Sequence, residues 1–321
     1  WRAPPRPYDT DDARHARRQP LPPLPPPDAT APMTREAARL PAAGFARPEL
    51  IASTEWVAEH LGRPELRILD VRWRPDGTAR QVFAGGHLPG AAHLDWVDDL
   101  IDRTDSQGAF LLAGPDQVSK ALGRAGITDG TTIVVYDDTL SLYACRVWWS
   151  LRSYGFDSVR VLDGGFPAWV EEGRPVSHAD VAPPPGVFTP RAQLRMRLTT
   201  PDVRAMLGSP DVMLLDARAP AEYRGLEGNS KRLGHIPGAV NVPVAAMTQP
   251  GSQRLRRAEE LRDQLHRANV TRGRRMVCYD GGGVSAAKLA FVLTLLGHDD
   301  VAVYDGGWAE WGDRLDLPVD R

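Results

Sequence analysis

"LGHIPGAVNVPV" at 233–244 decides the fold, because the chain has already written it once, as "GGHLPGAAHLDW" at 85–96. A Gly-His-apolar-Pro-Gly-Ala run is turn chemistry leading into an apolar strand. The echo continues outward in both directions. "LRILDVR" (66–72) is matched by "VMLLDAR" (212–218), "TTIVVYDD" (131–138) by "RRMVCYDG" (274–281), and "YGFDSVRVLDGGFPAW" (154–169) by "LGHDDVAVYDGGWAEW" (296–311). Four matched segments in one order mean two copies of one unit, each of about 130 residues.

Within a copy, short β-branched runs such as "TIVVY" read as buried parallel strands. Helical stretches alternate with them, at 115–126, 141–155 and 284–297. The pattern predicts an α/β fold of two tandem domains, each a central parallel sheet flanked by helices. The expected division is 45–177 for the first domain and 196–321 for the second. A Pro-rich linker is expected over 178–195, and a disordered tail over 1–44. That tail holds "PLPPLPPP" at 20–27, and 10 of the 29 prolines fall within residues 1–32, too little apolar surface to offset ordering. The chain opens on Trp1, and Met33 stands where a natural start is expected, just ahead of the folded-looking part.

The length of 321 residues suits two domains, and 42% hydrophobic with 25% charged content is globular. A formal net charge of −2 speaks against a nucleic-acid partner, and no apolar run approaches the ~20 residues of a membrane span. Two cysteines, 145 and 278, give neither a disulfide framework nor a metal-ligand spacing. The expectations are a cytoplasmic monomer without cofactor or metal that handles a small molecule.

Ligands in such folds sit beyond the C-terminal ends of strands. "MVCYDGGGVSAA" (276–287) lies at such an end. It is a strand running through glycines into a small-residue helix start, a loop suited to aiming backbone N–H groups at an anion. Yet its first residue, Asp280, is itself an anion.

These motifs resemble those of the tandem-domain rhodanese family, the thiosulfate and 3-mercaptopyruvate sulfurtransferases. The marks are Asp-x-Arg after the first strand, Gly-His-Leu/Ile-Pro-Gly-Ala, the strand–loop–helix at 276–290 and the closing Asp-Gly-Gly-x-x-x-Trp, spanning roughly residues 48–320. The resemblance implies a catalytic second domain whose loop, typically Tyr-Cys-Gly-x-Gly-Val-Thr-Ala, carries sulfur as a cysteine persulfide. Here Tyr279, Gly281, Gly282, Gly283, Val284, Ser285 and Ala286 surround Asp280 at the cysteine position. The first domain has Asp137 at the same point, where an acidic residue is usual in that family's non-catalytic half. Six residues from Asp280 to Ser285 fit the sulfurtransferase loop. Related dual-specificity phosphatases use a longer loop ending in Arg, absent here.

The resemblance also implies roles. Asp280 and Ser285 take the catalytic loop positions, with Gly281, Gly282, Gly283, Val284, Arg218 and Arg224 on the substrate. A carboxylate cannot accept and hand on sulfane sulfur as a thiolate does. Three readings follow: a repurposed enzyme using the interdomain cleft, a non-catalytic binding or regulatory protein, and a sulfurtransferase with Cys278 as carrier. Cys278, inside the strand "RMVCY", reads as a core thiol. Asp280 is a helix cap or a ligand contact, held ionised by the loop's donors, and as a cap Asn would serve about as well. Arg218 is a substrate contact or the structural partner of Asp216, and His87 and His235 fix turns.

Overall fold

In the computed structural model, residues 44–104, 110–180 and 182–321 are described. The expected tail, save Gly44, lies outside them. The first half runs β1 (Ile51–Ala52), α1 (Thr54–His60), β2 (Leu66–Asp70), α2 (Ala79–Ala84), β3 (Ala91–His93), α3 (Trp96–Leu100), α4 (Pro115–Arg124), β4 (Thr132–Tyr136), α5 (Leu142–Ser153), β5 (Val159–Leu162) and α6 (Gly165–Glu171). The second runs β6 (Arg197–Leu198), α7 (Thr200–Met206), β7 (Val212–Asp216), α8 (Pro220–Tyr223), β8 (Val240–Asn241), α9 (Ala258–Arg267), β9 (Arg275–Tyr279), α10 (Val284–Leu295), β10 (Val301–Tyr304) and α11 (Gly307–Trp311).

Each half builds a five-stranded parallel sheet, in the orders β1-β5-β4-β2-β3 and β6-β10-β9-β7-β8. The repeated motifs hold equivalent joints. In the first half, Arg72 forks onto Asp70 and donates to Gly86 O at 2.6 Å, while the Tyr136 hydroxyl donates to Asp70 Oδ2 at 2.6 Å. In the second, Arg218 forks onto Asp216 and donates to Gly234 O at 2.8 Å, and Ile236 N donates to the Tyr279 hydroxyl. Asp-x-Arg thus ties a strand end to the Gly-His-x-Pro-Gly turn. His87 and His235 brace that turn through Nδ1 contacts with Phe83 O and Tyr223 O.

The helices α5 and α10 pack on each other between the halves, with Trp148 edge-on to Phe291 at 5.0 Å. Each is buried on nearly all sides, as a helix enclosed between two layers must be. One core cluster runs through both halves. The Pro-rich stretch after residue 177 is pinned rather than loose: Phe188 is buried, its carbonyl accepts from Ser119 Oγ at 2.7 Å, and Gly186 N donates to Gly123 O. No helix among the described residues is long and apolar enough to cross a membrane.

Candidate active site

β9 delivers Asp280 into the crossing between the halves, and α10 starts four residues later. The carboxylate folds back over its own loop. Oδ1 accepts from Gly283 N and Oδ2 from Ser285 N, the latter at 2.7 Å. The carboxylate thus satisfies two N–H groups at the start of α10, as a capping side chain does, from three residues before the N-cap position at Gly283. Gly283 needs to be glycine, since its φ is +90°. The loop's other side is stitched to α11, with Trp308 N on Asp280 O at 2.6 Å and Ala309 N on Gly281 O at 2.9 Å. The first half closes over it: Phe110 N donates to Gly282 O at 3.2 Å. Phe110 in turn packs with Trp73, Trp96 and Tyr143 in one aromatic cluster.

Asp280 is only 5% exposed. Burial pushes its carboxyl up from the ordinary value, against the donations of Gly283 and Ser285 and the nearby charge of Arg146. This corrects the expectation that the loop's donors would hold it low: sequence counts donors but does not weigh desolvation.

The other candidates separate. Ser285 is half-buried beside Asp280 and Gly281 is exposed at the loop's tip. Arg224 is exposed just past α8. Arg218 is 5% exposed, spent on Asp216 and Gly234, and lies over the Trp308 ring at 4.7 Å, so it is a strut of the site. Cys278 is fully buried in β9, paired with Leu215 on one side and Val303 on the other. Burial pushes its thiol far up, as it does that of Cys145. Cys278 therefore has neither access nor thiolate character, and its reading as a sulfur carrier is corrected to a core thiol.

In the equivalent loop of the first half the carboxylate also folds back on its own loop, with three donors where Asp280 has two. Asp137 Oδ1 accepts from Thr139 N and Ser141 N, and Oδ2 from Ala144 N at 2.8 Å. A cavity of about 520 Å³ lies elsewhere in that half, lined by His93, Asp95, Asp99 and Arg124 among others, and none of the candidate residues reaches it.

Sequence reasoning missed Arg146. Its guanidinium, fully buried, donates to Gly283 O at 3.1 Å, to Asp305 Oδ1 at 2.8 Å and to Phe110 O. The available signal was a charge inside the otherwise apolar "YACRVWW", because a buried charge demands partners.

The model of the rhodanese-like domain matches residues 53–172 and again 199–314. The sulfur carrier protein TtuD of Thermus thermophilus is 33% identical over 289 residues, covering 86% of this chain and 98% of its own. The thiosulfate sulfurtransferase of Mus musculus is 36% identical over 277 residues, covering 82% and 92%. The crystal structure of SseA, a 3-mercaptopyruvate sulfotransferase from Escherichia coli, superposes with a TM-score of 0.74 at 29% identity, over 81% of this chain and 98% of that one. EanB in complex with ergothioneine shares the fold, at a TM-score of 0.75 and 24% identity over 85% of this chain and 70% of that one. With both halves matched, this chain belongs to the tandem rhodanese-fold sulfurtransferase family, with Asp280 where the loop's persulfide cysteine is expected.

Proposed function

We propose that the chain binds a small, non-anionic molecule at the mouth of the Asp280 loop, and that it carries no sulfur there as a persulfide. One observation supports this above the rest: the two N–H groups that would serve a thiolate or a substrate anion, those of Gly283 and Ser285, are taken by the carboxylate of Asp280. The anion seat is filled from within. A further anion would meet that carboxylate, while a neutral donor or a cation would not be repelled. Gly281 and Ser285 at the mouth offer the polar contacts. Asp280, like Asp137, is engaged by N–H groups of its own loop, which favours binding over turnover. A second reading, acid–base chemistry by Asp280 on a bound molecule, draws on the burial that raises its carboxyl toward the working range of a proton-transfer group.

The test pairs the native chain with Asp280→Ala, both incubated with thiosulfate. The native chain should gain no sulfur atom in its mass, transfer none to cyanide, and show no thermal stabilisation by thiosulfate. Asp280→Ala empties the seat and should be stabilised by thiosulfate or sulfate, increasingly with concentration. Sulfur transfer by the native chain would overturn the reading, as would indifference of Asp280→Ala to either anion.

A further inference from the structure

Two buried cations cross between the halves at matching places. Arg146 is the fifth residue of α5 and Lys288 the fifth of α10. They are 0% and 1% exposed. Each reaches the other half's loop: Arg146 Nη1 donates to Gly283 O at 3.1 Å, and Lys288 Nζ donates to Leu140 O at 2.7 Å. Both carbonyls belong to left-handed residues just before a helix, with φ of +90° at Gly283 and +55° at Leu140.

The surrounding bonds repeat the symmetry. Leu112 N crosses to Asp305 Oδ2 at 2.7 Å, and Leu255 N crosses to Asp163 Oδ1 at 2.9 Å. Phe110 N holds Gly282 O, and the Gln253 side chain holds Leu140 N. Each loop is thus gripped at its left-handed turn by a cation and a second group of the other half.

Gly283 stands in the middle of this arrangement. Its N–H points to Asp280 and its C=O to Arg146. The Gly283 N–H belongs to the Gly282–Gly283 peptide unit, whose carbonyl accepts from Phe110 N; Arg146 fixes that unit from both sides, holding Phe110 O and, through Gly283 O, the peptide unit that follows, while Asp305 anchors the fork. Trp149 lies under the guanidinium at 4.5 Å and limits its movement.

We propose that Arg146, in the first half, is a positioning residue for the Asp280 loop in the second: it aims the Gly283 N–H and thereby sets how strongly the seat holds negative charge. Lys288 performs the reciprocal task for the loop at Leu140. The inference rests on the reading of the Asp280 loop as an anion seat, and goes beyond it by assigning the seat's strength to the other domain.

A thiol reports on the seat without knowledge of the ligand. In the full-length Asp280→Cys chain, the pH dependence of alkylation by iodoacetamide gives the introduced thiol's ionisation. The native chain, with both cysteines buried, is the blank. Arg146→Lys is then added. It keeps the charge but loses the planar fork, so any change is one of geometry. Alkylation at pH 7 should fall about five- to tenfold as the thiolate fraction drops. Lys288→Met, an equally buried change in α10 that releases the first half's loop at Leu140, should leave the rate within about twofold, because the groups it holds do not face position 280. Where Arg146→Lys does not fold, Asp305→Asn removes the anchoring charge of the fork and should act in the same direction.

An unchanged titration with Arg146→Lys or its substitute would overturn the inference. So would an equal change with Lys288→Met. If the thiol in Asp280→Cys alone titrates as a free cysteine does, the seat itself is refuted, and the reading of function falls with it.

Discussion

Of the three glycines in the loop, the structure requires one, and the requirement has a size. At Gly283 the backbone φ is +90°, and an added Cβ would stand 2.6 Å from Arg146 Nη1 and 3.2 Å from both Asp305 O and Oδ1. A left-handed conformation costs an L side chain roughly 1–2 kcal/mol. The Arg146 guanidinium is pinned by three acceptors, so it yields only by losing bonds, and overpacking of this kind costs about 1–3 kcal/mol. Gly283→Ala should therefore lose about 2–5 kcal/mol, a large part of the 5–15 kcal/mol typical of a folded domain. At Gly281 a Cβ would meet nothing within 4 Å, and φ lies outside the left-handed range. Gly281→Ala should be neutral or gain up to about 1 kcal/mol by restricting the unfolded chain. Urea unfolding followed by the fluorescence of the nine tryptophans measures both variants. Stabilities within 1 kcal/mol of each other would refute the account of Gly283 as the threaded residue between Asp280 and Arg146.

Asp163 carries a pH prediction. Burial raises its carboxyl from 3.8 to about 6, against the Leu255 N–H and the charges of Arg254 and Lys288. A raised folded-state value means stability fully present below pH 4 and lost as the pH rises through 6, about 3 kcal/mol at 1.36 kcal/mol per pH unit. Asp163→Asn lacks this slope, so native stability minus variant stability should fall by about that amount between pH 4 and 8; a flat or rising difference in urea titrations would contradict it. Asp280→Ala leaves two loop donors without their acceptor and should cost about 2 kcal/mol, with Asp280→Asn between it and native because the amide retains one accepting oxygen. Neither Cys145 nor Cys278 should react with a thiol reagent until the chain unfolds, and labelling of Cys278 in the native state would reopen its reading as a carrier.

What could be read in the sequence was whatever acts over a few residues. Arg72 finds Asp70 two positions away, and Arg218 finds Asp216 likewise, so the repeated Asp-x-Arg announces its joint. The same proximity turns Arg218 Nε and Nη2 toward Asp216 and Gly234. An Arg two residues from an Asp at a strand end, facing a turn carbonyl, commits its Nε and one Nη before any ligand arrives. Arg146 and Lys288 meet carbonyls 137 and 148 residues away, and no local pattern names such partners. The direction in which the fold shifts the Asp280 carboxyl was illegible for a related reason. Its donors lie three and five residues away and are visible in the sequence, whereas its burial is made by the whole fold.

The two caps also differ in a way that bears on which half takes a ligand. The residue after Asp137 is Asp138, whose carboxylate is forked by Arg74 and 17% exposed. That ion pair lies beside the tip of the first loop. The residue after Asp280 is Gly281, exposed, with open space where a side chain would stand. The first loop holds its left-handed turn with Leu140 and Ser141, at a conformational cost met by Lys288 and Gln253 from the other half. The second uses Gly283, which adopts that backbone freely. The two loops thus differ in strain and in cover. A ligand reaching the second loop need not displace an ion pair like that of Arg74 and Asp138. Filling the space beside Gly281 with Gly281→Trp should therefore block small-molecule binding while leaving stability within about 1 kcal/mol of native, since the position is exposed and unconstrained. If binding survives that substitution unchanged, the ligand does not enter at the Asp280 loop.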